Sequence, residues 1–121
     1  MKRNVLIVED EAILSMMYKK LLERNGFNVV GTAFSGDAAV SEALHLCPDI
    51  ILMDIFLKGE MDGIDAAEKI NKTLNVPIVY ITGNSDSATR ERAFKTGPAG
   101  YLEKPIDENI LLSMMEKLDK D

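Results

Sequence analysis

The chain has very little sulfur or imidazole chemistry to offer. Cys47 is the single cysteine among 121 residues, so no disulfide can close within the chain and nothing asks for an oxidising compartment. With no base near it in sequence, Cys47 reads as a small packing residue rather than a nucleophile. His45 is the single histidine and lacks a second ligand nearby, so it reads as a solvated surface residue. Positive charge is also scarce: 14 basic against 20 acidic residues give a net charge of −6 and a pI near 4.8. A phosphate backbone would be repelled, which excludes nucleic acid as a direct partner. Long apolar runs are missing too. Only residues 5–8 separate the polar N-terminus from Glu9, too few for a signal-peptide core, and no run approaches the roughly 20 residues of a membrane helix. The expectation is a cytoplasmic protein with no membrane partner. No repeat, linker or low-complexity tract interrupts the chain, and 46% hydrophobic with 28% charged residues suits one globular domain spanning residues 1–121.

What is present is an alternation. Short apolar, β-branched runs at residues 5–8, 27–33, 50–53, 76–81 and 101–102 predict five strands, and longer stretches with apolar residues three or four apart predict five helices between and after them. That order is the signature of βα units around a parallel, doubly wound sheet. The first helix opens at Glu11, with Leu14, Met17 and Leu21 expected inward, and ends at Asn25-Gly26. Ser35 is expected to cap the second helix, which runs to about His45, and Asp62 the third. The fourth helix, about residues 86–95, is mostly polar, so it is expected to be held weakly. In the last helix Ile110, Leu111, Met114 and Leu118 are expected inward.

Three of the predicted strands run into polar groups: the first into Glu9-Asp10-Glu11, the third into Asp54, the fourth into Thr82-Gly83-Asn84. If the strands are parallel these groups meet beyond the carboxyl ends of the sheet, where ligands bind in such folds. Three acids brought together repel one another unless a pKa rises or a cation binds, and oxygen ligands alone favour a hard ion such as Mg²⁺. Glu9 to Glu11 are equally what an ordinary helix N-terminus uses. Lys104 follows another strand end and would bring an ammonium to the same pocket, Thr82 would bring a hydroxyl, and Gly83 would leave room for an anion. A metal, a carboxylate nucleophile, a hydroxyl and an ammonium suit the formation of an acyl phosphate.

The whole chain resembles the receiver domain of two-component response regulators. The resemblance rests on Glu9-Asp10 after residues 5–8, Asp54 within the apolar run 51–55, Met61-Asp62-Gly63-Ile64, Thr82-Gly83, and residues 101–105 ending in Lys104-Pro105. Each motif is weak alone; five in this order and spacing are specific. The resemblance implies a flavodoxin-like sheet of order 2-1-3-4-5 with two helices on one face and three on the other. It implies that Asp54 accepts a phosphoryl group from a histidine kinase or histidine phosphotransfer protein. Asp10, Asp54 and the backbone carbonyl of Phe56 would bind Mg²⁺, with Glu9 acting through water. Thr82 and Lys104 would contact the phosphoryl oxygens, the Lys104-Pro105 bond would be cis, and Tyr101 would move inward with Thr82 as the switch. Phe56 and Asn84 would stand at the pocket rim. A downstream protein or output domain, or a second copy on phosphorylation, would read the face of the last two helices and fifth strand. The domain would promote its own phosphorylation and dephosphorylation while serving as a signalling module rather than an enzyme.

Two departures stand out. Lys58-Gly59 occupies a loop position where many relatives have proline, in a loop one residue longer, and Pro98 stands where alanine is more usual. Three other readings use some of the same residues. An Mg-dependent phosphohydrolase with an aspartyl nucleophile needs a second acid two positions on, and that position is Phe56. A flavin module needs a phosphate-cradling first loop, which Glu9-Asp10-Glu11 would repel. A degenerate receiver acting only as a protein-binding module would not need the complete acid, Thr and Lys set.

Overall fold

The structure is a computed structural model describing residues 3–84 and 86–119; the outermost residues of the expected 1–121 domain lie outside the described residues. The elements follow in strict alternation: β1 (Asn4–Val8), α1 (Ala12–Arg24), β2 (Asn28–Ala33), α2 (Gly36–Leu46), β3 (Ile50–Asp54), α3 (Gly63–Asn71), β4 (Ile78–Thr82), α4 (Ser87–Lys95), β5 (Gly100–Glu103) and α5 (Glu108–Asp119). All strand pairs are parallel and the sheet order is β2-β1-β3-β4-β5.

Both faces of the central strands are covered, which is why β1, β3 and β4 read as unbroken apolar runs rather than alternating ones. Leu6, Val8, Ile51, Met53, Ile78 and Tyr80 face one layer, made by α2, α3 and α4. Val5, Ile7, Ile50, Leu52, Val79 and Ile81 face the other, made by α1 and α5. The helices start where capping groups allow. Ser35 accepts from the Ala38 amide at 3.1 Å, and Asp62 and Asp65 form a reciprocal capping box at the head of α3. Asp86 accepts from the Thr89 amide at 2.8 Å at the head of α4.

Several details depart from the sequence reading. Met17 is 53% exposed, and the inward stripe of α1 is Leu14, Tyr18, Leu21 and Leu22, a cleaner helical repeat that takes in a tyrosine. In α5, Ile110 is 54% exposed while Leu111 and Met115 are buried one turn apart, with Met114 and Leu118 half-buried. Cys47 is not a packing residue. It is exposed and takes a left-handed conformation, φ 47°, closing α2 where glycine is the commoner choice. His45 is exposed as expected. Helix α4 buries only Thr89 and Ala93, yet it is tied to α3: Arg92 reaches Asp62 at 3.1 Å and Asp65 at 3.2 Å, the two residues of the α3 capping box.

Candidate functional site

The parallel register lines up the strand ends. Val8 pairs with Met53, Asp54 with Ile81, and Thr82 with Glu103, so the residues just beyond β1, β3, β4 and β5 emerge at one edge. Backbone hydrogen bonds carry the pairing a step further: the Glu9 amide donates to the Ala33 carbonyl, that of Ile55 to Ile81, and that of Lys104 to Thr82. Glu9, Asp54 and Thr82 are consequently buried, Glu9 and Thr82 completely.

Glu9 is held from two sides. Its Oε2 accepts from the Glu11 amide at 3.0 Å, and its Oε1 lies 3.0 Å from Lys104 Nζ. The same ammonium is 3.4 Å from Asp54 Oδ2, so one cation is shared by two buried carboxylates. Asp10 is less enclosed, and its Oδ2 accepts from the Lys58 amide at 3.0 Å. Carboxylate oxygens of Glu9, Asp10 and Asp54 lie within 4.8 Å of one another. The electrostatics follow. Burial first, then the neighbouring Glu9 charge, push the Asp54 carboxyl up to about 7, and Lys104 offsets only part of this. Burial works against the Lys104 ammonium, but its close pairing with Glu9 and the charge of Asp54 outweigh it and raise its pKa. The cluster therefore lacks positive charge. Three carboxylates with no histidine or cysteine among them fit a hard divalent cation, and Mg²⁺ suits their number and chemistry.

The cleft above Asp54 has a volume of about 420 Å³ and is bounded by Asp10, Glu11, Phe56, Gly83, Asn84 and Lys104. Phe56 is 45% exposed at its rim. The Thr82 hydroxyl is turned into its own loop, donating to the Asn84 carbonyl at 2.8 Å and accepting from the Asn84 amide at 3.2 Å. A side chain at Gly83 would meet Lys104 Cδ only at 3.9 Å, so packing does not demand glycine there. Gly63 is different. A Cβ on it would overlap the Asp54 carbonyl oxygen, and its amide donates to the Ile55 carbonyl at 2.7 Å, so the head of α3 presses directly on the strand end that carries Asp54. The Lys104-Pro105 bond is cis. Tyr101 is half-buried away from the cleft, its ring stacked on Phe94 at 5.3 Å with the Arg90 guanidinium 4.8 Å above it.

The fold and this donor set have known counterparts. The family model of the response regulator receiver domain matches residues 5–116. The chain belongs to that family. Among curated relatives, the transcriptional regulatory protein PdtaR of Mycobacterium tuberculosis is 39% identical over 114 residues, covering 94% of this chain and 55% of that protein. The chain thus spans little more than half the length of that relative. The chemotaxis protein CheY of Thermotoga maritima is 35% identical over 121 residues, covering 99% of this chain and 100% of that one. Among solved structures, the signal receiver domain of a modulated diguanylate cyclase from Desulfovibrio desulfuricans G20 matches with a TM-score of 0.91 and 37% identity over 99% of this chain and 96% of that one.

As a receiver domain the chain is a signalling module, and family members bind Mg²⁺ at an acidic pocket of this kind. Among the described residues no helix is long and apolar enough to cross a membrane. Two contributors to this site are only partly legible in the sequence or not legible at all. Gly63 was legible only as part of a motif, because what it must clear is a backbone atom of another element. The Lys58 amide was not legible at all, since a backbone donor leaves no mark on residue type.

Proposed function

We propose that residues 1–121 form one receiver domain in which Asp54 accepts a phosphoryl group from a phosphohistidine of a histidine kinase or histidine phosphotransfer protein. The observation that carries this reading is the set of three carboxylates within 4.8 Å of one another, with the Lys104 ammonium 3.4 Å from Asp54. In the reaction an Asp54 oxygen attacks phosphorus, the P–N bond breaks, and the imidazole leaves with the bonding electron pair. Glu9, Asp10, Asp54 and the backbone carbonyl of Phe56 would hold Mg²⁺, which when bound supplies positive charge against the phosphoryl oxygens. The Asp54 carboxyl must be ionised to attack, so the excess of negative charge around it sets a need that a cation fills.

The roles of the other groups follow from where their hydrogen bonds now go. Lys104 shifts from sharing Glu9 and Asp54 to neutralising a phosphoryl oxygen. Thr82 exchanges the Asn84 carbonyl for the phosphoryl group, which frees the 82–84 loop. Tyr101 then leaves its stack on Phe94 and packs inward, biasing an equilibrium between two arrangements of the α4, β5 and α5 face. A downstream protein, an output domain or a second copy of the chain reads that face in the cytoplasm. Turnover of the acyl phosphate by the domain itself ends the signal, with Phe56 and Asn84 at the rim governing the approach of water.

Intact mass measured after incubation with acetyl phosphate and Mg²⁺ tests this. One added phosphoryl group, lost in Asp54→Asn and in excess chelator, is expected; an addition that survives Asp54→Asn overturns the assignment.

A further inference from the structure

Behind Lys104, on the side away from Asp54, lies a second cavity of about 450 Å³ that shares only Lys104 and Gly83 with the acidic cleft. Leu14, Met17 and Leu21 of α1 line one side, and Ile106 and Leu111 the other. Its walls are largely apolar and its size falls within the roughly 300–1,000 Å³ of small-molecule sites. Tyr18 stands in this wall at 7% exposure, and among the described residues its hydroxyl makes no hydrogen bond. The hydroxyl has no partner among those residues and borders the cavity, so an acceptor on a bound molecule can take the place of the water it meets there. Burial keeps this hydroxyl protonated, so it has a proton to donate to such an acceptor.

The surroundings select the charge of the occupant. Glu9 already engages Lys104 at 3.0 Å, and Glu108 stands at the mouth, so an anion finds no free cation here. A cation would meet the Lys104 ammonium. We propose that this cavity binds a small, neutral, largely apolar molecule whose one ketone or amide oxygen accepts from Tyr18, and that Lys104 transmits its presence to Asp54. The transmission rests on the phosphoacceptor reading given above; the binding does not. A molecule packed against the aliphatic stem of Lys104 restrains the one side chain that lines both spaces, and so alters how its ammonium divides between Glu9 and Asp54.

Acetophenone and acetanilide serve as probes, titrated into methyl-labelled protein by NMR. Saturable shifts are expected at Met17, Leu21 and Leu111, with none at Leu74 on the opposite face. Tyr18→Phe keeps the ring and should weaken binding by about 3- to 10-fold, the effect of one hydrogen bond. Met17→Trp, at an exposed position of the mouth, should block the cavity without disturbing the core. Asp54→Asn should still bind the probes saturably, with an affinity shifted only as far as Lys104 couples the two spaces, which separates this proposal from the fate of the phosphoacceptor reading. In the parent protein, saturating acetophenone should change the rate of phosphorylation by acetyl phosphate. Absent saturable shifts, unchanged affinity in Tyr18→Phe, or shifts raised only by an amphipathic helical peptide would overturn the ligand site. Binding with an unaltered phosphorylation rate would overturn the transmission.

Discussion

The acidic cleft and the α4–β5 face beside it are held by opposite means. Around the cleft, Glu9, Asp54 and Thr82 are buried at the ends of paired strands, and the groups are fixed although their charges do not balance. On the α4–β5 face, only Thr89 and Ala93 of α4 are buried, and the helix is kept in place by Arg92 on Asp62 and Asp65 and by the Phe94–Tyr101 stack. One region stores electrostatic strain in a rigid frame, and the other is held, apart from the hydrogen bond at 2.7 Å between Thr96 and the buried Tyr80 hydroxyl at the end of α4, by contacts near water that individually contribute little. A change in charge at the first can therefore be answered by movement at the second, because that is where rearrangement costs least.

The largest expected effect removes what balance the cleft has. Lys104→Met leaves two buried carboxylates without their shared cation and should lower stability at pH 7 by about 3 kcal/mol, read from urea unfolding. The opposite sign is expected from Asp54→Asn. Because the folded state holds the Asp54 proton up to about pH 7 while the unfolded chain releases it near pH 4, stability contributed by this group falls as pH rises between those values and stays low above them. Asp54→Asn should therefore stabilise the protein by about 2 kcal/mol at pH 8 and hardly at all below pH 4. Urea midpoints across that range check it, and Mg²⁺ should release protons from the parent near pH 7 but not from the variant.

Much of this comparison was legible in the sequence, for physical reasons. Strands buried on both faces announce themselves as short apolar runs, and an acid or hydroxyl directly after such a run must emerge at the sheet edge; that is how Glu9, Asp54 and Thr82 stood out. The order and spacing of the five motifs added what chemistry alone left open. Side-chain facing inside helices was less legible. Met17 and Ile110 are apolar residues placed one step off the buried stripe, and periodicity read over a few residues tolerates such a step. Contacts between distant elements left no trace at all: Arg92 reaching 30 residues back to Asp62 looks, in sequence, like one more charge on a polar helix. The weakness expected of α4 was thus only half of its description.

Smaller effects sharpen the other side of the comparison. Arg92→Ala should loosen α4 at a loss of only about 0.5–1 kcal/mol, since the pair is half exposed. Its amide exchange should quicken over residues 87–95, while the yield of phosphorylation at Asp54 is unchanged. Under the proposed switch, Phe94→Ala, which removes the ring stacked on Tyr101, should move Tyr101 inward in the unphosphorylated protein, visible as a change in its fluorescence or ring resonances. An unmoved Tyr101 would mean that the stack does not oppose the switch.

The coupling between the two regions is tested most directly by amide exchange with and without beryllofluoride, a phosphoryl mimic, in the presence of Mg²⁺. Exchange should change across α4 and β5, residues 87–95 and 100–103, while α2 and the distal part of α3 keep their rates. If the mimic binds at Asp54 and exchange on the α4–β5 face stays as it was, the cleft and that face are independent and charge at Asp54 does not drive the face.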